Sequence, residues 1–463
     1  MVKIMKRKNA WEEYDKEELK ELEALCKDYR DFLDAGKTER ECVKEIVKQV
    51  KKAGYEDINS VIKQKKYLEP GAKIYAVWME KTVALFNIGS ESMEEGMNIL
   101  GAHIDSPRLD IKQNPLYEKD GFAYLDTHYY GGIKKYQWAA LPLAIHGVVA
   151  KTSGEIVEIN IGEDKHDPVF CVTDLLIHLA GEQMEKKANK VIEGEQLDIL
   201  FASKPLKGEE KESVKAQVLA LIKKKYNIKE EDFISAELEI VPAGRARDCG
   251  IDSSMVMAYG QDDRVCAYTS LVAMLEADKV KKTTCCLLTD KEEIGSVGAT
   301  GMQSHFFENT VAEIMNAMGG YSELALRRCL AHSRMLSSDV SAAFDPTFAN
   351  AFDKKNAAIF GEGMVFNKFT GSRGKSGSND ANAEYLAAIR KILDDEKVCY
   401  QTAELGKVDI GGGGTIAYIL SLYGMEVVDC GVAVLNMHAP WEITSKADIY
   451  ETKKGYVAFL LGA

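Results

Sequence analysis

The run Thr289-Asp290-Lys291-Glu292-Glu293-Ile294-Gly295 sets two adjacent carboxylates just past Thr283-Thr284-Cys285-Cys286-Leu287-Leu288, an apolar stretch that reads as a buried strand. In open α/β sheets ligands bind beyond the carboxyl ends of strands, where one glutamate can hold a metal ion while its neighbour faces an attacking water. Adjacent glutamates also occur in ordinary solvated turns, so the pair poses the question of a metal site without answering it. A second apolar run, Met97-Asn98-Ile99-Leu100, leads into Gly101-Ala102-His103-Ile104-Asp105-Ser106-Pro107. Residues two apart in an extended segment share a face, so His103 and Asp105 point the same way. A carboxylate so placed can fix the tautomer and orientation of a metal-binding imidazole. The plain alternative is a histidine in a polar turn before Pro107.

Further fragments extend this donor set. Gln261-Asp262-Asp263-Arg264 precedes a helical pattern of Val265, Tyr268, Val272 and Leu275, where Asp262 could equally serve as an N-cap. Asp339 ends the apolar-to-acidic segment Met335-Leu336-Ser337-Ser338-Asp339, and His438 ends another buried-strand pattern, Val432 to Met437, just before Pro440. Together these positions supply two imidazoles and three carboxylates at strand ends or helix starts, a set that suits two divalent ions bridged by one carboxylate.

Taken in order, GAHIDSPRLD, QDDR, DKEEIGSVGATG, SSDVSAAFDP and NMHAPWE resemble the motifs of the aspartyl aminopeptidase family of metallo-aminopeptidases, which includes related bacterial and yeast vacuolar enzymes. The resemblance implies that His103 and Glu293 or Asp339 serve separate ions, that Asp262 bridges them, and that His438 completes the set. It also implies Glu292 as general base and Asp105 as the group orienting His103. Two divalent ions per chain are expected, zinc first, with cobalt or manganese as alternatives. Related dinuclear peptidases hold a cis peptide after the bridging aspartate, so Asp262-Asp263 is expected to be cis. The expected reaction is hydrolysis of the first peptide bond of peptides with a free N-terminus, with acidic or neutral preference left open.

Composition agrees with such an enzyme. A chain of 463 residues with 46% hydrophobic content can bury large cores and should hold two domains. A formal net charge of -13 argues against nucleic acid as a partner. The ten cysteines include no C-x-x-C pair and read as reduced core residues. No apolar signal segment follows the basic Met1 to Lys8 stretch and no run of about 18 apolar residues occurs, so neither secretion nor a membrane partner is indicated and a cytoplasmic location is expected.

The elements that must position these residues read as α/β. Ala10 to Lys52 is an amphipathic helical stretch with Leu19, Leu22, Leu25, Tyr29, Phe32 and Leu33 on its apolar face, and Lys73 to Asn87 and Met97 to Ala102 are the first strands. Leu141 to Ile161 has the glycine-broken texture of β structure, and Glu185 to Asp232 is charge-rich. The whole of Arg108 to Ala246 contains no motif ligand and reads as a domain inserted into a catalytic domain formed by 1–107 and 247–463. The expected fold is thus a mixed-sheet, doubly wound dinuclear-zinc peptidase domain with a β-rich insertion. The family resemblance implies that this insertion builds dimers within a homo-oligomer, a dodecamer. Ser378-Asn379 is expected to cap the helix carrying Leu386, Ile389 and Leu393.

Two glycine-rich pieces bear on substrate. Arg373 and Lys375, in the loop Gly371 to Gly377, are the candidate cations near substrate, and Gly412 and Gly413 fit close approach of backbone to a peptide. Gly374-Lys375-Ser376 also suggests a nucleotide hydrolase, but Phe369 stands where a phosphate-binding loop needs glycine. A dinuclear amidase or carboxypeptidase is the nearer rival. A non-catalytic assembly protein would require broken ligands, and all six of His103, Asp262, Glu292, Glu293, Asp339 and His438 are present.

Overall fold

The apolar runs become strands of one large sheet. In chain order these are β1 (Glu56–Asp57), β2 (Lys73–Trp78), β3 (Thr82–Asn87), β4 (Asn98–His103), β5 (Thr284–Thr289), β6 (Arg334–Ser338), β7 (Met364–Asn367), β8 (Tyr400–Thr402) and β9 (Glu426–Gly431). The computed structural model describes residues 8–463, so the basic Met1 to Lys8 stretch, apart from Lys8, lies outside the described residues. Across the sheet the order is β1-β2-β3-β5-β4-β6-β9-β7-β8. The neighbours β5, β4, β6 and β9 are parallel, so their carboxyl ends share one edge.

Both faces of these central strands are buried, which is why their sequences are continuous apolar runs and do not alternate. Successive side chains enter opposite cores. Ile99, Cys285, Met335 and Val427 pack into one, while Leu100, Cys286, Leu336 and Val428 pack into the other. The adjacent cysteines are therefore core residues facing opposite ways, and all ten cysteines are free thiols. The helices Lys16–Ala35, Glu39–Lys52, Gln261–Glu276, Ala383–Asp395 and Lys446–Gly462 contribute to one core, and Phe306–Ala317 and Glu323–His332 to the other.

A smaller sheet of Arg247–Cys249, Met255–Ala258, Glu442–Ser445, Ala433–Leu435 and Ser341–Ala342 adjoins the same set of loops. Its strands begin or end within a few residues of Asp262, Asp339 and His438. By packing, 8–105, 246–437 and 442–463 form one unit, and Ser106–Arg245 with His438–Trp441 forms a second. The second unit is built on seven strands in the order Ile156–Ile161, Leu143–Ala150, Ala236–Pro242, Arg108–Lys119, Phe122–Tyr130, Ile199–Ala202 and Cys171–Val172. Every neighbouring pair in it is antiparallel. Among the described residues no helix is long and apolar enough to cross a membrane.

Three local expectations are corrected. The amphipathic stretch at 10–52 is two helices, because Gly36 ends the first and Thr38 starts the second with a reciprocal capping box to Glu41. Leu22, Tyr29, Phe32 and Leu33 are buried as their spacing requires, whereas Leu19 is 38% exposed on the outer side. The helix expected to begin at Ser378-Asn379 begins at Ala383 after Asn382. Asn379 Nδ2 instead donates to the Val427 carbonyl at 2.6 Å, and Ser378 Oγ accepts from Thr370 N at 2.8 Å. These side chains are engaged by β9 and by the loop after β7 and not by a helix end.

Thr38→Ala removes the oxygen that receives Glu41 N–H and should lower unfolding stability by about 1 kcal/mol. Urea titration of both proteins checks this, and coincident curves would show that the cap contributes nothing.

Candidate metal centre

His103 is the last residue of β4 and pairs in register with Thr289 at the end of β5, so the parallel alignment brings its ring to the edge from which Glu292 and Glu293 follow. Asp339 follows β6 directly, and its N–H donates to the Cys430 carbonyl of β9 at 2.9 Å. That close approach needs glycine at 431, where a Cβ would stand 2.1 Å from the Asp339 carbonyl oxygen. Asp262 lies at the start of the Gln261–Glu276 helix, but Gly260 occupies the flanking cap position, and Asp262 and Asp263 have non-helical backbone angles. The Asp262-Asp263 peptide is cis.

These residues converge. His103 Nε2 lies 3.2 Å from Asp262 Oδ1, and 4.0 Å from both Glu292 Oε2 and Asp339 Oδ1. One ligand atom each from His103, Glu292 and Asp339, and likewise from His103, Asp262 and Glu293, fall within 4.8 Å of one another. Behind the ring, Nδ1 is 3.2 Å from Asp105 Oδ1 and 3.0 Å from the Asp105 carbonyl oxygen. Both are acceptors, so Nδ1 carries a proton, and Nε2, which faces the carboxylates, is the nitrogen that would offer its lone pair to a metal ion. Asp105 is fully buried, and its two oxygens also accept from Glu292 N and Glu293 N, each at 3.1 Å. One carboxylate thus orients the imidazole and the glutamate pair together.

The electrostatics follow from crowding. Burial by itself favours a neutral His103 ring, but hydrogen bonds to Asp105 and Asp262 and the charge of Glu292 raise its pKa well above the ordinary imidazole value. Burial, then the carboxylates of Glu292 and Asp263, push Asp339 well above the usual carboxylate range. Positive charge among these groups reverses both tendencies, because metal ligation takes neutral imidazole and ionised carboxylate. A hard or borderline divalent ion suits this oxygen-rich set with one imidazole, and zinc is within its range.

The remaining sequence candidates are placed as follows. His438 packs with the second unit, where its Nδ1 donates to the Gly132 carbonyl at 2.8 Å, leaving Nε2 as the nitrogen with the lone pair. It joins neither donor grouping described above. Arg373 and Lys375 line a cavity of about 200 Å³ together with Phe369, Thr370, Leu405 and Lys407. Lys375 Nζ is held by Asp380 Oδ2 at 2.9 Å and lies 4.1 Å from the Phe369 ring centre. Gly412 abuts this loop, since a Cβ there would stand 2.6 Å from Ser372 Cα, and Gly413 N donates to the Thr370 carbonyl at 3.0 Å. Gly412 therefore serves chain-on-chain packing in the first instance.

Sequence reasoning passed over two residues that hold the centre and a buried acid on which the charge of Glu292 acts. Glu442 Oε2 accepts from Asp262 N at 3.0 Å, Asp263 Oδ2 accepts from His103 N at 3.4 Å, and Asp429, buried in β9, receives Thr415 Oγ1 at 2.6 Å. Burial raises the Asp429 pKa to about 7. Asp263 and Glu442 carried a signal, inside QDDR and at the acidic end of NMHAPWE, whereas Asp429 carried none.

Comparison with known proteins adds the family. The model described as aminopeptidase I zinc metalloprotease (M18) matches residues 32–460. A probable M18 family aminopeptidase 1 from Clostridium acetobutylicum is 63% identical over 454 residues, covering 98% of each chain. Among solved structures, an M18 aminopeptidase from Thermotoga maritima superposes with a TM-score of 0.95 at 44% identity, covering 99% of this chain and 100% of that one. The yeast aminopeptidase 1 dodecamer is 19% identical with a TM-score of 0.75, covering 95% of this chain and 97% of its own, a likeness of fold.

Asp105→Asn leaves one acceptor oxygen for the three donors that now share two. It should weaken zinc affinity about 10–100-fold, read by competition with a chelator of known affinity. Unchanged affinity would mean that Asp105 does not set the ligand geometry.

Proposed function

This chain belongs to the aminopeptidase I zinc metalloprotease (M18) family, and from that premise we propose how its own residues divide the work of releasing a peptide's first residue. It is a zinc-dependent aminopeptidase, a hydrolase. The observation that carries the assignment of roles is the convergence of His103, Asp262, Glu292, Glu293 and Asp339 at the carboxyl edge of four parallel strands.

We assign two ions per chain. His103, Asp262, Glu293 and Asp339 would hold them together with His438, and the family resemblance implies that Asp262 would be shared, with His103 and Asp339 serving one ion and Glu293 and His438 the other. Zinc held there would supply polarisation of the scissile carbonyl and a lowered pKa for the attacking water. Glu292 takes the proton from that water and delivers it to the departing amine. Its carboxylate reaches to 4.0 Å from His103 Nε2 while its backbone N–H donates to Asp105, so the base is held at the centre through its main chain. Asp105 keeps the His103 ring in one tautomer, and Glu442 fixes the Asp262 backbone. The substrates are peptides with a free N-terminus. Arg373 and Lys375 are assigned to the substrate side, with Gly412 and Gly413 shaping the adjoining wall.

The same reading includes a homo-oligomer built from dimers, a dodecamer as in the yeast relative, and a cytoplasmic location. Leu176, Ile177, Leu179 and Met184, in the 108–246 insertion, are each more than half exposed, as an assembly surface requires.

Glu292 and Glu293 are neighbours with different assigned work, so their amide variants should fail differently. Glu292→Gln should cost about 10²–10⁴ in kcat with zinc content unchanged. Glu293→Gln should lose zinc as well as activity. Turnover and metal analysis on the same preparations decide between them, and a Glu292→Gln enzyme that loses metal while Glu293→Gln keeps both ions would reverse the two roles.

A further inference from the structure

The most deeply buried cation beside the metal centre has no part in the scheme above. Arg264 is 1% exposed and is among the largest fully buried side chains of the chain. Its Nε donates to the Ile104 carbonyl at 3.3 Å and its Nη2 to the Lys37 carbonyl at 2.8 Å, with the Tyr259 ring centre 5.3 Å from the guanidinium carbon. Ile104 is the one residue between His103 and Asp105. The same helix start therefore grips the two peptide groups that flank the His103–Ile104 peptide: Asp263 receives the His103 N–H, and Arg264 holds the Ile104 carbonyl. Lys37, at the other end of the guanidinium, lies in the connection between the helices Lys16–Ala35 and Glu39–Lys52.

Burying a guanidinium is costly unless its donors are satisfied. A planar fork can hold two carbonyl oxygens in fixed relation, which a single ammonium on a flexible stem cannot. We infer that Arg264 is a positioning residue for the reaction: by binding the Ile104 and Lys37 carbonyl oxygens from one guanidinium, it fixes where the His103 ring and the Asp105 carboxylate stand. It also makes the connection between the two N-terminal helices part of the support of the metal centre. The inference rests on the reading of His103 as a ligand and Asp105 as its orienting group.

The test uses the full-length, zinc-loaded enzyme. Arg264→Lys keeps charge and loses the fork, and should lower kcat about 10–100-fold, the range for groups that orient ligands, with KM little changed because substrate contacts are intact. Arg264→Ala should show a comparable or greater loss, part of which returns on adding methylguanidinium but not methylammonium. Parental kcat in Arg264→Lys would overturn the inference, and so would a loss in folded Arg264→Ala that methylguanidinium does not recover. Should Arg264→Ala fail to fold, Arg264→Lys decides alone. His103→Ala, measured in parallel for zinc content, separates this idea from its premise, since a variant that kept its zinc and turnover would overturn the metal-centre reading itself.

Discussion

The carboxylate of Asp105 is the interaction on which the centre depends. It is fully buried, touches the His103 imidazole, and receives the backbone N–H groups of both Glu292 and Glu293. A charge in that position would be costly without donors, and the donors it collects are the groups whose placement matters for chemistry. Ligand, base and second glutamate are therefore fixed by a common acceptor. Displacing Asp105 disturbs all three, which explains how residues from separate strands can hold one geometry.

The sheet makes that interaction reachable. Four parallel strands end at one edge, and the register of Thr289 with His103 brings the loop bearing Glu292 beside Asp105. Close chain approaches refine the arrangement: the missing side chain at Gly431 admits the Asp339 backbone, and Glu442 catches the Asp262 N–H from the smaller sheet. The cores on the two faces keep these strands rigid, so loops carry the chemistry while apolar strands carry the position.

Much of this was legible in the chain because the signals are short in range. His103 with Asp105, and Glu292 with Glu293, announce themselves by spacing and by the buried strands before them. The supporting contacts do not, since Asp263 meets His103 across 160 positions and Glu442 meets Asp262 across 180. Local rules failed where a tertiary partner took the side chain. Asn379 binds Val427 in place of a helix end, and the helical periodicity of 10–52 hid a capping box at Thr38 and Glu41 that breaks it in two. His438 has a strand-end pattern like the other ligands, yet its segment packs with the second unit and its backbone is left-handed there, at φ 64. Its role comes from family resemblance and not from the donor groupings around His103.

Anomalous scattering at the zinc edge from crystals of the zinc-loaded enzyme tests the central claim most directly. The account predicts two peaks in each chain about 3.5–4 Å apart, with Asp262 shared, His103 and Asp339 at one, and Glu293 and His438 at the other. A single ion per chain, or ions held by residues outside this set, would contradict it.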